Sequence, residues 1–493
     1  MSADQSVDQS ADRSVDQSSD RSADQSADQS ADQLSVELWL AAQQGSCSDV
    51  QRLLRAVDDE EAVWRAIMVS VANDHVATVA ALLKRARTSG ACSDAVALAA
   101  KHGNVRVLGL LLSFDERAAR GRIRHHRGSP MVFAVENGQL EAAELLVAHK
   151  VSVHEGPLYH AISAGEVAVA RFLLENDADV EGFSVENPLV EAARYGRVEA
   201  ALLLLEYDAD VHATDWSPAG QTSLFEASNY GQSSMAELLL ENRAAVDHAD
   251  CYRRTPLYVA WDADMAQLLV QHKATVDDAD DFGRTPLVHA AAEDRVSTVA
   301  FLLARGARVD AEDRCRRTPL TYASAETYVQ VIQMLLDHKA SIDHADAQAK
   351  TPLLYAAAGI NLWVPINDAE RAPEKTWHLE ALQLLLENKA SVNHADAQGK
   401  TPLFHAAAGD RPMTAALLLA RGAHFDTEDA QGQTPLAEAY RQGHADVVKV
   451  LLAAKASLAY DGATPVGHDG PVANDGPVAH DGPVTAAVQL VLQ

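Results

Sequence analysis

Residues 399–410 read GKTPLFHAAAGD. The phrase returns as GRTPLVHAAAED from Gly283, AKTPLLYAAAGI from Ala349 and GQTPLAEAYRQG from Gly432. Each part has a physical use. A threonine hydroxyl caps the start of a helix, and proline at the first helical position gives up only an N–H that has no intrahelical partner. The leucine and paired alanines present a small apolar face, so a second helix can come close. Gly or Asp then ends the first helix, as at Gly196, Gly231 and Gly443. A second run follows, such as ADVVKVLLAA from Ala445, with apolar residues at helical spacing. Segments such as DHADAQAK, Asp343–Lys350, are rich in turn formers and suggest a hairpin leading into the next cap. One such unit cannot bury its own apolar face, whereas a stack of them can.

With the cap threonine as register mark, the period is close to 33 residues: Thr222, Thr255, Thr285, Thr318, Thr351, Thr401 and Thr434. A Leu-Leu pair further on places less regular marks at Asn187, Gly156, Ser129 and Asp94, and weaker ones at Arg65 and Val36. This reading gives thirteen units over residues 34–460. Thr255 and Thr285 lie 30 residues apart, which predicts a shortened helix pair. Ser129 and Gly156 lie 27 apart, which trims a finger. Thr351 and Thr401 lie 50 apart, and the surplus falls at 360–376, INLWVPINDAERAPEKT, between two helices of one unit.

The flanks differ in kind. Residues 1–33 repeat S-x-D-Q or S-x-D-R and lack the apolar surface needed to offset ordering, so they are expected to be disordered. Residues 461–493 carry DGP at Asp469, Asp475 and Asp481, which favours serial turns, and close on the apolar TAAVQLVLQ. The 493-residue chain carries a net charge of −29, which argues against nonspecific binding to nucleic acid or an anionic membrane. Aromatics make up only 5%, so the core must be Leu, Ala and Val. Cys47, Cys92, Cys251 and Cys315 are scattered, without disulfide or zinc spacing. The N-terminus lacks the basic and apolar regions of a signal peptide, and no apolar run reaches the roughly 18 residues of a membrane span. A cytoplasmic or nuclear location is expected.

The 33-residue period, the G-x-TPL-x-x-A phrase and the LL…A-x-V ending resemble ankyrin repeats. The resemblance implies an all-α solenoid of helix pairs with β-hairpin fingers, a concave groove and a role in binding other proteins. Two departures stand out. The family usually has His directly after TPL, where this chain has Tyr258, Val288, Thr321, Leu354, Phe404 and Ala437, so the hydrogen bond made by that His is expected to be absent. The family's Gly after the second helix is replaced by Lys150, Asp177, Asp208, Arg243, Lys273, Lys339, Lys389 and Lys455, and kept only at Gly306 and Gly422. A left-handed cap without Gly costs about 1 kcal/mol.

The second residue after TPL is the one that the resemblance turns toward the groove. It is His160 in one upstream unit, then His289, Tyr322, Tyr355 and His405 in four consecutive units. These four read as a partner-binding stripe, or else as residues packed against neighbouring helices. Trp363, Val364 and Ile366 of the insertion are a second candidate, since Trp is enriched at interface hot spots. Arg117, Arg120, Arg122, Arg124 and Arg127 form a basic island suited to an anion or an acidic peptide, the acidic N-terminal tail among them. The finger acids Asp247, Asp250, Asp277, Asp280, Asp343, Asp346, Asp396 and Asp429 are either a ridge for a basic partner or structural turn residues. HEGPLYH at His154 has the wrong spacing for a zinc-protease helix, and no phosphate loop or nucleophile elbow is present. The expectation is a monomeric scaffold for other proteins, with no cofactor and no catalysis. The alternative is the targeting subunit of a larger assembly such as a ubiquitin ligase or a phosphatase.

Overall fold

The computed structural model describes residues 32–86, 92–115, 118, 129–154, 156–182, 187–215, 219–359 and 376–461, with backbone alone at 376–377 and 457–461. The chain divides into two compact units, Met1–Ser217 and Pro218–Gln493. Among the described residues each unit is built of helices paired in antiparallel fashion, with no strand.

In the second unit the first helices of successive pairs pack on one another: Pro286–Ala292 on Pro319–Glu326, then Pro352–Ala358, Pro402–Ala408 and Pro435–Gln442. The second helices form the other layer, from Ala263–Gln271 through Val296–Ala304, Val329–Asp337, Thr376–Glu387 and Pro412–Ala420 to Ala445–Asp461. The first unit repeats this arrangement, with Glu60–Ala72, Cys92–His102, Pro130–Glu136, Pro157–Ala164 and Pro188–Arg194 in one layer. The leucine of TPL is buried in pair after pair, at Leu257, Leu287, Leu320, Leu353 and Leu403. Each such side chain contributes about 1.5–3 kcal/mol by leaving water. The alanines behind it, such as Ala290, Ala291, Ala356 and Ala406, are buried too, which lets the layers lie close.

The caps form as their chemistry requires. Thr222, Thr255, Thr285, Thr318, Thr401 and Thr434 each accept a bond from the backbone N–H three residues on, and Thr318 and Thr321 make a reciprocal capping box. Thr351 makes no such bond. Upstream, Ser129 and Asn187 cap in the same way. The register marks at Val36, Arg65 and Asp94 do not hold as caps. They fall inside the helices 32–43, Glu60–Ala72 and Cys92–His102, and Glu60–Ala72 is capped by Asp59 instead. Without a TPL phrase, a Leu-Leu landmark alone slips within a helix.

Two of the three spacing anomalies resolve physically. The 30-residue unit shortens its first helix to the single turn Pro256–Val259. The 50-residue unit leaves its first helix at Gly359 and resumes at Thr376, so the surplus lies between its helices. No described helix is long and apolar enough to cross a membrane.

Lys150, Asp177, Asp208, Arg243, Lys273, Lys339 and Lys389 all adopt positive φ after their second helices, in the region where Gly306 and Gly422 also lie. Lys455 departs from this pattern, because the last helix runs on through it to Asp461. Side chains at these caps are strained by the approach of Cβ to the following carbonyl. Lys339→Gly and Lys389→Gly are therefore expected each to stabilise the chain by about 1 kcal/mol in urea denaturation. A loss of stability in both would show that the lysine's interaction with the helix end outweighs its backbone strain.

Candidate functional site

The fingers are turns closed by a buried aspartate five residues before the cap threonine. In the second unit these are Asp250, Asp280, Asp313, Asp346, Asp396 and Asp429. Each uses Oδ1 to accept the backbone N–H groups two and four residues ahead, as Asp313 does from Cys315 at 2.7 Å and Arg317 at 2.8 Å. The same pattern holds at Asp250, Asp280, Asp346, Asp396 and Asp429. The aspartate's own N–H donates to the carbonyl four residues on, for example Asp280 to Arg284 at 3.0 Å. The residue before that closing position takes positive φ: Arg253, Gly283, Arg316, Ala349, Gly399 and Gly432. Neighbouring fingers are joined by one backbone bond at a fixed place, with Asp281 N–H donating to Tyr252 at 2.9 Å, Arg314 to Phe282 at 2.8 Å and Ala347 to Cys315 at 2.9 Å.

Oδ2 is where the variable residue acts. The Tyr322 hydroxyl donates to Asp313 Oδ2 at 2.8 Å, the Tyr355 hydroxyl to Asp346 Oδ2 at 2.6 Å, and His405 Nε2 pairs with Asp396 Oδ2 at 2.8 Å. Tyr322 and Tyr355 are only 2% and 4% exposed. His289 lies edge-on to Tyr258, with centroids 4.4 Å apart, and it is Tyr258 that donates to Asp280 Oδ2, at 3.1 Å. Of the two readings of this stripe, Tyr322 and Tyr355 follow the packed one, while His289 and His405 are half-buried. Their place on the helix faces the base of a finger, where a buried carboxylate needs a donor. His160, in the first unit, pairs with Glu136 at 3.0 Å.

Where the finger carries arginine four residues after the aspartate, it also reaches Oδ2: Arg254, Arg284 and Arg317 through Nε at 2.7–2.8 Å. Their guanidinium groups lie over rings, Arg284 over Phe282 at 4.8 Å and Arg317 over Tyr322 at 4.9 Å. Burial, and then the neighbouring aspartate, pushes the hydroxyls of Tyr322 and Tyr355 up, so they remain donors at any ordinary pH. Burial also raises Asp396, but bonds from His405, Lys400 and Gln398 outweigh it and hold the carboxyl below its usual range. The finger acids are therefore structural turn residues. Asp247, Asp277 and Asp343, nearer the second helices, bond the next pair at Thr275, Arg308 and Ser391.

The outward-facing chemistry lies elsewhere, and sequence reasoning did not single it out. The shortened unit leaves the carbonyls of Val259 and Ala260 without a following helical turn. Arg295, from the next pair, donates to both at 2.8 Å. Its guanidinium lies 5.4 Å from the ring of Trp261, which is 59% exposed. The Trp261 backbone N–H donates to the Ser228 carbonyl at 3.1 Å, and its indole lies against Gly231, beside the exposed Tyr230. On the fingers of the same pairs, Tyr252 and Phe282 are exposed. The signal was present in the 30-residue spacing, which leaves Trp261 at a position that the longer units from Thr222 to Thr401 fill with a buried Ala or Ser. The other candidates, Trp363, Val364 and Ile366 of the insertion and Arg117, Arg120, Arg122, Arg124 and Arg127, lie outside the described residues.

Two outcomes are expected. Tyr355→Phe strips a donor from a buried carboxylate and should lower stability by about 1–3 kcal/mol in urea denaturation. A neutral result would return the ring to the list of dispensable surface groups. His289 is lowered from 6.5 to about 3, first by burial and then by the charges of Arg295, Arg284 and Arg254. The unfolded chain takes up this proton first, so the stability due to neutral His289 is complete above pH 6.5. It is lost at up to about 1.4 kcal/mol per pH unit as pH falls from there toward 3. His289→Gln should flatten the stability profile between pH 6.5 and 4.5 by about that slope.

No curated protein matches the chain. Family models do match it: one described as ankyrin repeats (3 copies) over residues 131–215, 224–313 and 372–461, and one for a single ankyrin repeat over 315–347. The matched segments cover more than half of the sequence and coincide with the capped helix pairs, and the chain therefore belongs to the ankyrin repeat family.

Proposed function

We propose that this chain is a scaffold that holds partner proteins on the exposed helix ends and finger tips of residues 219–295. Ankyrin repeats are protein–protein interaction modules, and the family is generally non-enzymatic. The observation that carries the reading is the grouping of exposed Tyr230, Tyr252, Trp261 and Phe282 on successive helix pairs, with Arg295 held beneath the indole. Exposed tyrosine, tryptophan and arginine are the residue types that dominate binding energy at protein interfaces. Tyr322, Tyr355 and His405, by contrast, bond the fingers of Asp313, Asp346 and Asp396, further along the stack. The free thiols Cys47, Cys92, Cys251 and Cys315 suit a reducing compartment, which supports a cytoplasmic or nuclear location for the scaffold.

The test compares affinity capture by the full chain with capture by the Tyr230→Ala, Trp261→Ala double variant, followed by calorimetric titration of each retained partner. Binding should weaken about 30-fold or more, the mark of a hot spot. Trp261 is largely exposed, so the melting curve should move by no more than about 1 kcal/mol. Unchanged affinity for every partner would reject this surface.

A further inference from the structure

We infer that the last apolar stretch of the chain, Thr485–Gln493, folds back onto the open end of the final helix pair and closes it. The inference starts from the pair Pro435–Gln442 and Ala445–Asp461, beyond which no further pair is described. In earlier pairs of the second unit, the third residue after the cap threonine is buried as Phe225, Val288, Thr321, Leu354 and Phe404, whereas Ala437 is exposed. The sixth is Ser228, Ala291, Ser324, Ala357 and Ala407, all fully buried, yet Tyr440 is 79% exposed. The shortened unit, with Trp261 at that place, is the exception already explained. Leu452 is exposed where Leu240, Leu303 and Leu419 are buried and Val270 and Leu336 half-buried, and Leu436 and Val448 are half-buried where their counterparts are covered.

These residues make one apolar end face that, elsewhere in the stack, the next pair covers. In the full-length pairs of the second unit this position is otherwise held by fully buried Ala or Ser, so a tyrosine there leaves no room for another pair packed in the same way. Something of different shape must lie there, because an uncovered terminal face of a stack is a solubility liability. Residues 462–484 are rich in Gly and Pro and contain Asp469, Asp475 and Asp481 but no Lys or Arg. Beside the face, Arg441 and Lys449 are exposed and paired with Glu438 and Asp446, and Lys455 is exposed, so the acids of 462–484 meet a mixed and not a like-charged rim. Residues 485–493 then supply Val488, Leu490, Val491 and Leu492. The 23 intervening residues reach about 75 Å when extended, and the helix to be traversed, 17 residues long, spans about 25 Å. The segment can therefore return to any part of the face without strain.

The full chain carrying Leu452→p-benzoylphenylalanine is irradiated, and the crosslinked peptides are mapped by mass spectrometry. The expected product is monomeric in mass and joins residue 452 to 485–493 of the same chain. Leu490→Asp with Leu492→Asp should cut that product at least tenfold. In the chain without the probe, the same pair should speed amide exchange in residues 445–456 at least tenfold while leaving 286–304 unchanged. A crosslink between two chains would assign the face to a second copy and overturn the inference. So would a crosslink to any other segment, no crosslink to 485–493, or amide exchange indifferent to the two aspartates. None of these readouts depends on residues 219–295 holding a partner.

Discussion

A carboxylate almost wholly removed from water is tolerated only when its charge is met by donors on every side. In the second unit, Asp250, Asp280, Asp313, Asp346 and Asp396 have that requirement at the base of each finger. Much of the rest follows from it. Two backbone N–H groups close on Oδ1, and this fixes the turn. The fixed turn delivers the chain to the cap threonine five residues on, and the cap starts the helix whose leucine and alanines build the stack. The same turn holds a backbone carbonyl where the next finger's N–H can reach it, so one acid sets both the shape of a unit and its attachment to its neighbour.

The second oxygen tolerates more than one solution. At Asp313 an arginine and a tyrosine share it. At Asp346 and Asp396 the finger carries lysine, and a ring one turn into the helix makes the bond instead. Lys350 and Lys400 lie over the rings of Tyr355 and Phe404. The requirement is for a donor at one point in space, and the sequence is free to send it from either side.

That freedom explains what could be read from residues alone and what could not. The TPL phrase is a local code: cap, fixed φ and apolar face act within four residues, so the first helices of the second unit were legible. The left-handed caps were legible at Lys273, Lys339 and Lys389 because the register carried them to a place where the chain must turn. Tyr322 and Tyr355 were left between two readings because a polar ring on a helix looks the same in sequence whether it faces a groove or a carboxylate. A regularity was there to be used, since Asp313, Asp346 and Asp396 each stand nine residues before the ring they hold. Trp261 was passed over because its exposure comes from a missing turn. A deletion announces a changed length and not which side chain it lifts to the surface.

The partners of these acids also divide the stack into separable pieces. Tyr322, Tyr355 and His405 bond the aspartate of their own finger, so each such unit carries its polar closure complete within itself. Tyr258 bonds the aspartate of the following finger. A unit of the first kind is a cassette that can be copied or excised in frame without orphaning a buried charge. The units that share Tyr258 and Asp280 are tied by a side-chain bond across their boundary, although Arg284 also meets Asp280 from within its own finger.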